Sequence, residues 1–133
     1  MAKLDLRDDG FCFVCGKKNE FGLKLDFKLT EKKEIKCEFA PQKYHQGFTD
    51  LVHGGIIGLI LDEAMGLLLW KLGKRAVTAD FNMRLKNPAF VDDRLFFRAA
   101  IEKEEKKVIY TQAACKDKQG KIIAQASAKY VKV

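Results

Sequence analysis

The chain has 133 residues, which suits a single domain with one core spanning residues 1–133. Its 47% hydrophobic and 32% charged residues are ordinary for a globular protein and argue against disorder beyond the first few residues. The 25 basic and 18 acidic residues give a net charge of +7, but the basic residues form no dense block and are not interleaved with aromatic ones. We therefore expect no nucleic-acid partner.

Residues 1–22 form an N-terminal lead-in, in which we expect Phe11, Phe13 and Phe21 to anchor the chain on an apolar surface. The first nine residues contain acidic side chains and no apolar run, which is unlike a secretory signal, so we expect a cytoplasmic protein. Cysteines in that compartment are normally reduced, and the chain has four: Cys12, Cys15, Cys37 and Cys115.

Cys12 and Cys15 have the spacing of half a zinc site. A structural zinc site usually needs four ligands, and no second CxxC motif or pair of histidines follows. Cys37, Cys115 or His45 could join only if the fold brought them close. We therefore expect no metal and interpret these cysteines as small hydrophobic side chains in an N-terminal turn.

Two runs of alternating apolar and polar residues follow the lead-in. Residues 23–29 and 34–39 each have the period of a half-buried strand, and the polar residues 30–33 between them predict a hairpin. Residues 41–51 then read as a loop.

An almost entirely apolar segment predicts one long helix over residues 54–72, with Gly73 as its C-terminal cap. Between His53 and Lys71 the only charged residues are Asp62 and Glu63. These carboxylates argue against a membrane span, and we expect no membrane partner. A carboxylate in such a segment costs free energy unless something satisfies or uses it, so this pair marks a candidate site.

Strand patterns fill the remainder of the chain at residues 78–86, 94–102, 108–116 and 122–133, and Asn87-Pro88 ends the first of them. Within that strand, the alternation places Phe81, Met83 and Leu85 on one face and Thr78 on the other. Short turns between the strands predict antiparallel neighbours. The expected fold is α+β, with a curved antiparallel sheet of five to six strands wrapped around one central helix.

This arrangement resembles the hotdog fold, specifically the PaaI-like acyl-CoA thioesterases. The resemblance spans residues 11–131 and is carried by Val52-His53-Gly54-Gly55, by Asp62 nine positions after His53, and by Gly66. Thr78-Ala79-Asp80-Phe81-Asn82 and Asn87-Pro88-Ala89 resemble the strand and turn that follow the helix in that family. The cysteine segment of the lead-in, with Gly22-Leu23, resembles one branch of it.

The resemblance implies hydrolysis of a thioester with no metal and no cofactor other than the coenzyme A that is part of the substrate. It also implies a homodimer or homotetramer with active sites between two subunits. One helix supplies the carboxylate, and the partner's helix supplies its N-terminus.

Gly54 and Gly55 stand at the predicted helix start, where free N–H groups and the positive end of the helix dipole can hold an oxyanion. Their alternative role is close packing against the sheet. His53 could position the substrate or polarise its carbonyl, or it could cap the helix and bond the loop.

Asp62 is the expected general base or nucleophile, and its alternative role is in a hydrogen-bond network. Glu63 diverges from Asp62 by about 100° around the helix, so the two are not a catalytic pair. We expect Glu63 to meet solvent or a lysine. Thr78 matches family hydroxyls that orient the carboxylate or water, although it could be an ordinary strand residue.

Gln46 is a predicted substrate contact, because its amide could reach the thioester, although Gly47 stands at the matching family position. Arg84 and Lys86 are predicted to attract the phosphates of coenzyme A. The apolar helix suits a small aromatic or medium-chain acyl group. The main alternative function is a non-hydrolytic protein that binds acyl-CoA or another acyl ligand. A dehydratase on the same fold would call for a clearer Asp/His arrangement.

Overall fold

The computed structural model describes residues 4–133, so the first three residues of the predicted lead-in lie outside the described part. Within residues 4–133, the chain forms six strands, one α-helix and a short 3-10 helix at Lys43–His45. In chain order the elements are β1 Lys28–Leu29, β2 Ile35–Phe39, α1 Gly54–Lys71, β3 Ala76–Leu85, β4 Leu95–Glu104, β5 Val108–Lys116 and β6 Ile122–Lys132.

The strands form one antiparallel sheet in the order β1-β2-β4-β5-β6-β3, and α1 packs against one face of it. This is the predicted α+β arrangement of a sheet around one central helix. The side of β6 that faces α1 carries a row of small residues, Ala124, Ala126 and Ala128, and then Tyr130. Small side chains let the helix approach this part of the sheet closely.

The two ends of α1 are closed by local contacts. At the N-terminus, His53 is the cap residue, and its side chain accepts a hydrogen bond from the Gly55 N–H. At the C-terminus, Gly73 has a φ of +77°, and its N–H donates to the Trp70 carbonyl while the Lys74 N–H donates to the Leu69 carbonyl. This is a Schellman motif, and it confirms the cap predicted at Gly73. No helix in residues 4–133 combines the length and apolar character that a membrane crossing requires.

The prediction of a strand over residues 23–29 was wrong for most of its length, because only β1 pairs regularly with β2. Lys24 has a φ of +52°, which interrupts the extended backbone. The Leu23 and Leu25 N–H groups donate instead to the Phe13 and Val14 carbonyls, at 2.9 Å each. The lead-in, rather than β2, therefore supplies the hydrogen-bond partners of residues 23–25.

The expectation that the lead-in phenylalanines anchor it was also wrong. Phe11, Phe13 and Phe21 are all exposed, and Phe21 has 81% of its surface accessible. Val14 is the buried anchor at 2% exposure, and Cys12 and Cys15 pack against the same core. Within the tight turn between the two cysteines, Val14 is buried and Phe13 is exposed.

The cysteines are free thiols throughout the described chain. Cys37 and Cys115 lie in the core, where burial raises the pKa of each thiol from 9.0 to about 12. These two behave as small hydrophobic residues.

The lead-in anchor can be tested with a pair of substitutions. Val14→Ala removes buried methyl groups and should lower the free energy of unfolding by about 1–3 kcal/mol, whereas Phe21→Ala should change it by less than about 0.5 kcal/mol. Urea unfolding of both variants and the wild type measures the difference. An equal or larger loss in Phe21→Ala would contradict this assignment.

Candidate active site

The Asp62 carboxylate lies at the centre of a small hydrogen-bond network. Its Oδ1 accepts hydrogen bonds from the Thr78 hydroxyl at 3.2 Å and from the Tyr130 hydroxyl at 3.1 Å. The Tyr130 hydroxyl also lies 3.1 Å from the Asp62 carbonyl oxygen. Oδ2 has no hydrogen-bond partner within residues 4–133, and the side chain is half-buried. The carboxylate is therefore held on one side and free on the other.

A bulge in β3 creates this network. Thr78 pairs with Tyr130 and Asp80 pairs with Lys129, so Ala79 is an extra residue between two regular pairs. Bulges redirect the side chains beside them. The predicted opposite faces for Thr78 and Phe81 were wrong for this reason.

The register shows which face these residues share. Phe81 lies opposite Ala128 on the helix side of the sheet, and Thr78 lies opposite the buried Tyr130. Both residues therefore face α1, and the bulge brings the Thr78 hydroxyl to Asp62.

Tyr130 is a site residue that sequence reasoning missed. It is only 2% exposed, and its hydroxyl would be costly to bury without a partner. Burial, followed by the nearby Asp62 charge, raises the pKa of the Tyr130 hydroxyl, which therefore stays a hydrogen-bond donor. The available signal was its position at the end of the alanine row on the inward face of β6.

The entrance of α1 offers one free amide. The Gly55 N–H donates to His53 Nδ1 at 2.9 Å, so a neutral His53 carries its proton on Nε2. The Gly54 N–H has no acceptor among the described residues. His53 is exposed, as the cap of the helix, and its ring lies against Gly47. Gly54 is therefore the amide available to a bound anion, and His53 holds the helix start.

The structure separates the remaining predicted residues from Asp62. Gln46 Oε1 accepts a hydrogen bond from the Asp50 N–H at 3.0 Å, so this part of the side chain stabilises the loop. Arg84 lines an open groove of about 1280 Å³ on the outer face of the sheet. Lys86 is exposed just after β3. Asp62 does not line that groove.

Distance also separates Asp62 from its own helix entrance. Asp62 is eight positions after Gly54, which corresponds to roughly 12 Å along the helix axis. A single thioester carbonyl cannot contact both ends of that span. Within one chain, the carboxylate and the free amide therefore belong to different sites.

Glu63 was expected to meet solvent or a lysine; it is half-buried, and its partner is a thiol rather than a lysine. Its Oε2 lies 3.3 Å from the Cys12 thiol of the lead-in. Asp62 points towards β3 and β6 instead, so the expected divergence of these two carboxylates is confirmed.

A family model for the thioesterase superfamily matches residues 50–124, more than half of the chain. The chain belongs to the thioesterase superfamily. The matched range contains the helix entrance, Asp62 and Thr78. The family resemblance found in the sequence is thereby confirmed.

Two human relatives carry names consistent with this family. Acyl-coenzyme A thioesterase THEM5 is 30% identical over 84 residues, covering 63% of this chain and 34% of THEM5. Acyl-coenzyme A thioesterase 13 is 27% identical over 95 residues, covering 69% of this chain and 68% of that protein. The chain thus matches about a third of the length of THEM5.

Solved structures share the fold. A thioesterase superfamily protein aligns with a TM-score of 0.87 at 20% identity, covering 92% of this chain and 60% of its own. The Escherichia coli PaaI protein aligns with a TM-score of 0.77 at 18% identity, covering 83% and 84%. The predicted hotdog fold is confirmed.

The role of Tyr130 in holding Asp62 predicts a measurable stability cost. Tyr130→Phe removes one donor from a buried network and should lower the free energy of unfolding by about 1–2 kcal/mol. Tyr110→Phe is the matched control, because the Tyr110 hydroxyl bonds an exposed Glu105, and it should cost less than about 0.5 kcal/mol. Chemical unfolding compares the two, and equal losses would show that the Tyr130 hydroxyl contributes nothing special.

Proposed function

We propose that this protein is an acyl-CoA thioesterase that cleaves a thioester into a carboxylic acid and free coenzyme A. The observation that carries the proposal is the Asp62 carboxylate, oriented by Thr78 and Tyr130 on the central helix of a thioesterase-superfamily fold. The names of the human relatives support the substrate class. So does a streptococcal protein of the same fold that was crystallised with coenzyme A.

The thioester carbonyl binds at the entrance of α1 in this proposal. The Gly54 N–H and the positive end of the helix dipole stabilise the negative charge that develops on the carbonyl oxygen. Gly55 contributes a second N–H only if His53 Nδ1 releases it. His53 therefore controls how many donors the oxyanion meets, without transferring a proton itself.

Asp62 supplies the attacking group by one of two routes. As a general base, its free Oδ2 takes a proton from water while that water attacks the carbonyl carbon and the coenzyme A thiolate leaves. As a nucleophile, Oδ2 attacks the carbon itself, the thiolate leaves, and water then hydrolyses the mixed anhydride. In both routes, Thr78 and Tyr130 fix the carboxylate through Oδ1. Neither route calls for a metal or a further cofactor.

A second copy of the chain completes the site. The roughly 12 Å between Gly54 and Asp62 means that the two groups must come from different chains to act on one carbonyl. β3 lies at the end of the sheet, and Phe81 and Leu85 on it are exposed. A ten-residue edge strand with exposed apolar side chains is suited to pairing with another chain. We therefore propose a homodimer, which can assemble further into a homotetramer.

The acyl group and the coenzyme A part of the substrate can each be matched to residues by their chemistry. Apolar residues along α1 suit a small aromatic or medium-chain acyl group. Arg84 and Lys86 supply positive charge for the phosphates of coenzyme A, and the Gln46 NH₂ group remains available for an amide contact. None of these three reaches Asp62 of its own chain, so their role depends on the assembled dimer.

A further parallel supports the pairing of Asp62 with Thr78. Two variants of a Streptococcus pneumoniae hypothetical thioesterase have been crystallised. One replaces an aspartate by alanine and the other replaces a threonine by alanine, and the two positions are sixteen apart. Asp62 and Thr78 are also sixteen positions apart.

Replacing Asp62 tests the central assignment. Asp62→Asn should lower the rate of thiol release from a panel of acyl-CoA esters by about 10²–10⁴-fold, because the base or nucleophile is removed. Asp80→Asn makes the same change of charge on an exposed strand position and should leave the rate within about twofold. Circular dichroism of both variants confirms folding. Unchanged turnover in a folded Asp62→Asn variant would rule the role out.

Replacing Gly54 tests the oxyanion site. Gly54 is the first residue of α1 and follows an extended His53, so Gly54→Pro can remove the N–H while suiting the helix start. It should lower kcat by about 10²–10³-fold. Gly54→Ala keeps the N–H and crowds only the flexible end of Leu85, so it controls for bulk. Equal losses in the two variants would indicate packing rather than oxyanion binding.

The same panel separates hydrolysis from binding alone. A thioesterase releases thiol from at least one ester, whereas a non-hydrolytic acyl-CoA binding protein shows saturable binding without turnover. Binding without release by the wild-type protein would favour the second function.

A further inference from the structure

Three groups that can bind a metal converge where the lead-in crosses α1. The Sγ atoms of Cys12 and Cys15 and a carboxylate oxygen of Glu63 all lie within 4.8 Å of one another. The Cys12 thiol donates to Glu63 Oε2 at 3.3 Å, although the two residues are 51 positions apart in the chain. All three are half-buried, which leaves the cluster open to solvent on one side.

The turn that carries the two cysteines is tightly wound. The Gly16 N–H donates to the Cys12 carbonyl at 2.8 Å, and the Cys15 N–H points at Cys12 Sγ at 3.5 Å. A Cβ on Gly16 would lie 2.4 Å from the Cys12 backbone nitrogen, so only glycine fits there.

The turn is also fixed on the body of the protein. The Val14 side chain is buried in the core, and backbone hydrogen bonds join Phe13 to Leu23 and Val14 to Leu25. The cysteines are therefore held in place before any ligand arrives. A site that is already arranged loses less conformational entropy on binding.

The charges at this cluster are unbalanced. Glu63 makes no ion pair with a lysine or arginine in the described part of the chain, and its observed partner is a thiol. A divalent cation would satisfy all three groups together.

We propose that Cys12, Cys15 and Glu63 bind one Zn²⁺ ion. Two sulfur ligands and one carboxylate oxygen are donors that zinc accepts in tetrahedral geometry, and three protein ligands leave the fourth position to water. Ligand atoms of such a site lie about 3.5–3.8 Å apart for Zn–S of 2.3 Å and Zn–O of 2.1 Å. The Cys12–Glu63 contact of 3.3 Å is already close to that spacing.

Binding releases the two thiol protons to solvent and involves no oxidation. The ion ties the lead-in to α1 one residue from Asp62. The proposal does not depend on thioester hydrolysis. The earlier expectation of no metal considered only cysteine and histidine as ligands, whereas the fold adds Glu63 from the central helix.

Metal binding can be measured directly on the reduced full-length chain. After removal of bound metal, titration with Co²⁺ alone should give a sulfur-to-cobalt charge-transfer band and tetrahedral d–d bands that saturate at one ion per chain. Zn²⁺ should displace the cobalt with loss of both bands. Elemental analysis of freshly purified protein should find zinc near one per chain.

Matched variants locate the site. Cys12→Ser and Cys15→Ser should abolish the charge-transfer bands or cut their intensity by half, and Glu63→Gln should weaken Co²⁺ affinity by about tenfold or more. Cys115→Ala also removes one thiol, but one outside the cluster, and should bind Co²⁺ as the wild type does. Thermal unfolding without metal checks that Glu63→Gln folds as well as metal-free wild type.

Three results would overturn the proposal. One is a reduced wild-type chain that fails to bind Co²⁺ stoichiometrically. Another is Co²⁺ binding by both serine variants with the wild-type affinity and spectrum, which would place the metal elsewhere. The third is a freshly purified chain that holds no zinc and whose intact mass shows a Cys12–Cys15 disulfide. That result would indicate a redox pair instead.

Discussion

The placement of a carboxylate on an apolar helix is the constraint on which this structure depends. Asp62 lies midway along α1 and is half-buried where the helix packs on the sheet, and an unsatisfied carboxylate there would cost several kcal/mol. The protein meets that cost with two hydroxyls on one oxygen, from Thr78 and Tyr130. The second oxygen is left free. The hydrogen bonds that stabilise the carboxylate therefore also fix the orientation of its free oxygen.

Several features of the fold follow from that solution. The β3 bulge turns Thr78 towards the helix, and the alanine row of β6 lets α1 approach until the Tyr130 hydroxyl reaches Asp62. The same helix carries Glu63 on another face, where the lead-in meets it. Adjacent acidic residues are thus satisfied by opposite sides of the molecule. A metal at the lead-in would hold the helix turn that presents Asp62.

The sequence predicted what depends on local periodicity and on short motifs. The strands after residue 34, the long helix, its Gly73 cap and the positions of His53 and Asp62 could be read from neighbouring residues, whereas the alternation at residues 23–29 was misleading. The bulge could not be, because one extra residue in a strand leaves the surrounding alternation intact on either side. The contact of Tyr130 with Asp62 needed the packing of β6 on α1, and the contact between Glu63 and Cys12 needed the path of the lead-in. These are long-range facts that no local pattern encodes.

The central proposal is that Asp62 of one chain acts with the Gly54 amide of the other chain. The most direct measurement mixes two inactive variants, Asp62→Asn and Gly54→Pro, under conditions that exchange subunits. Random exchange makes half of the dimers mixed, each with one intact site of two, so thioesterase activity should recover to about a quarter of the wild-type value. If the mixture stays as inactive as its parents although mixed dimers are present, the two groups belong to the same chain's site and the account is wrong.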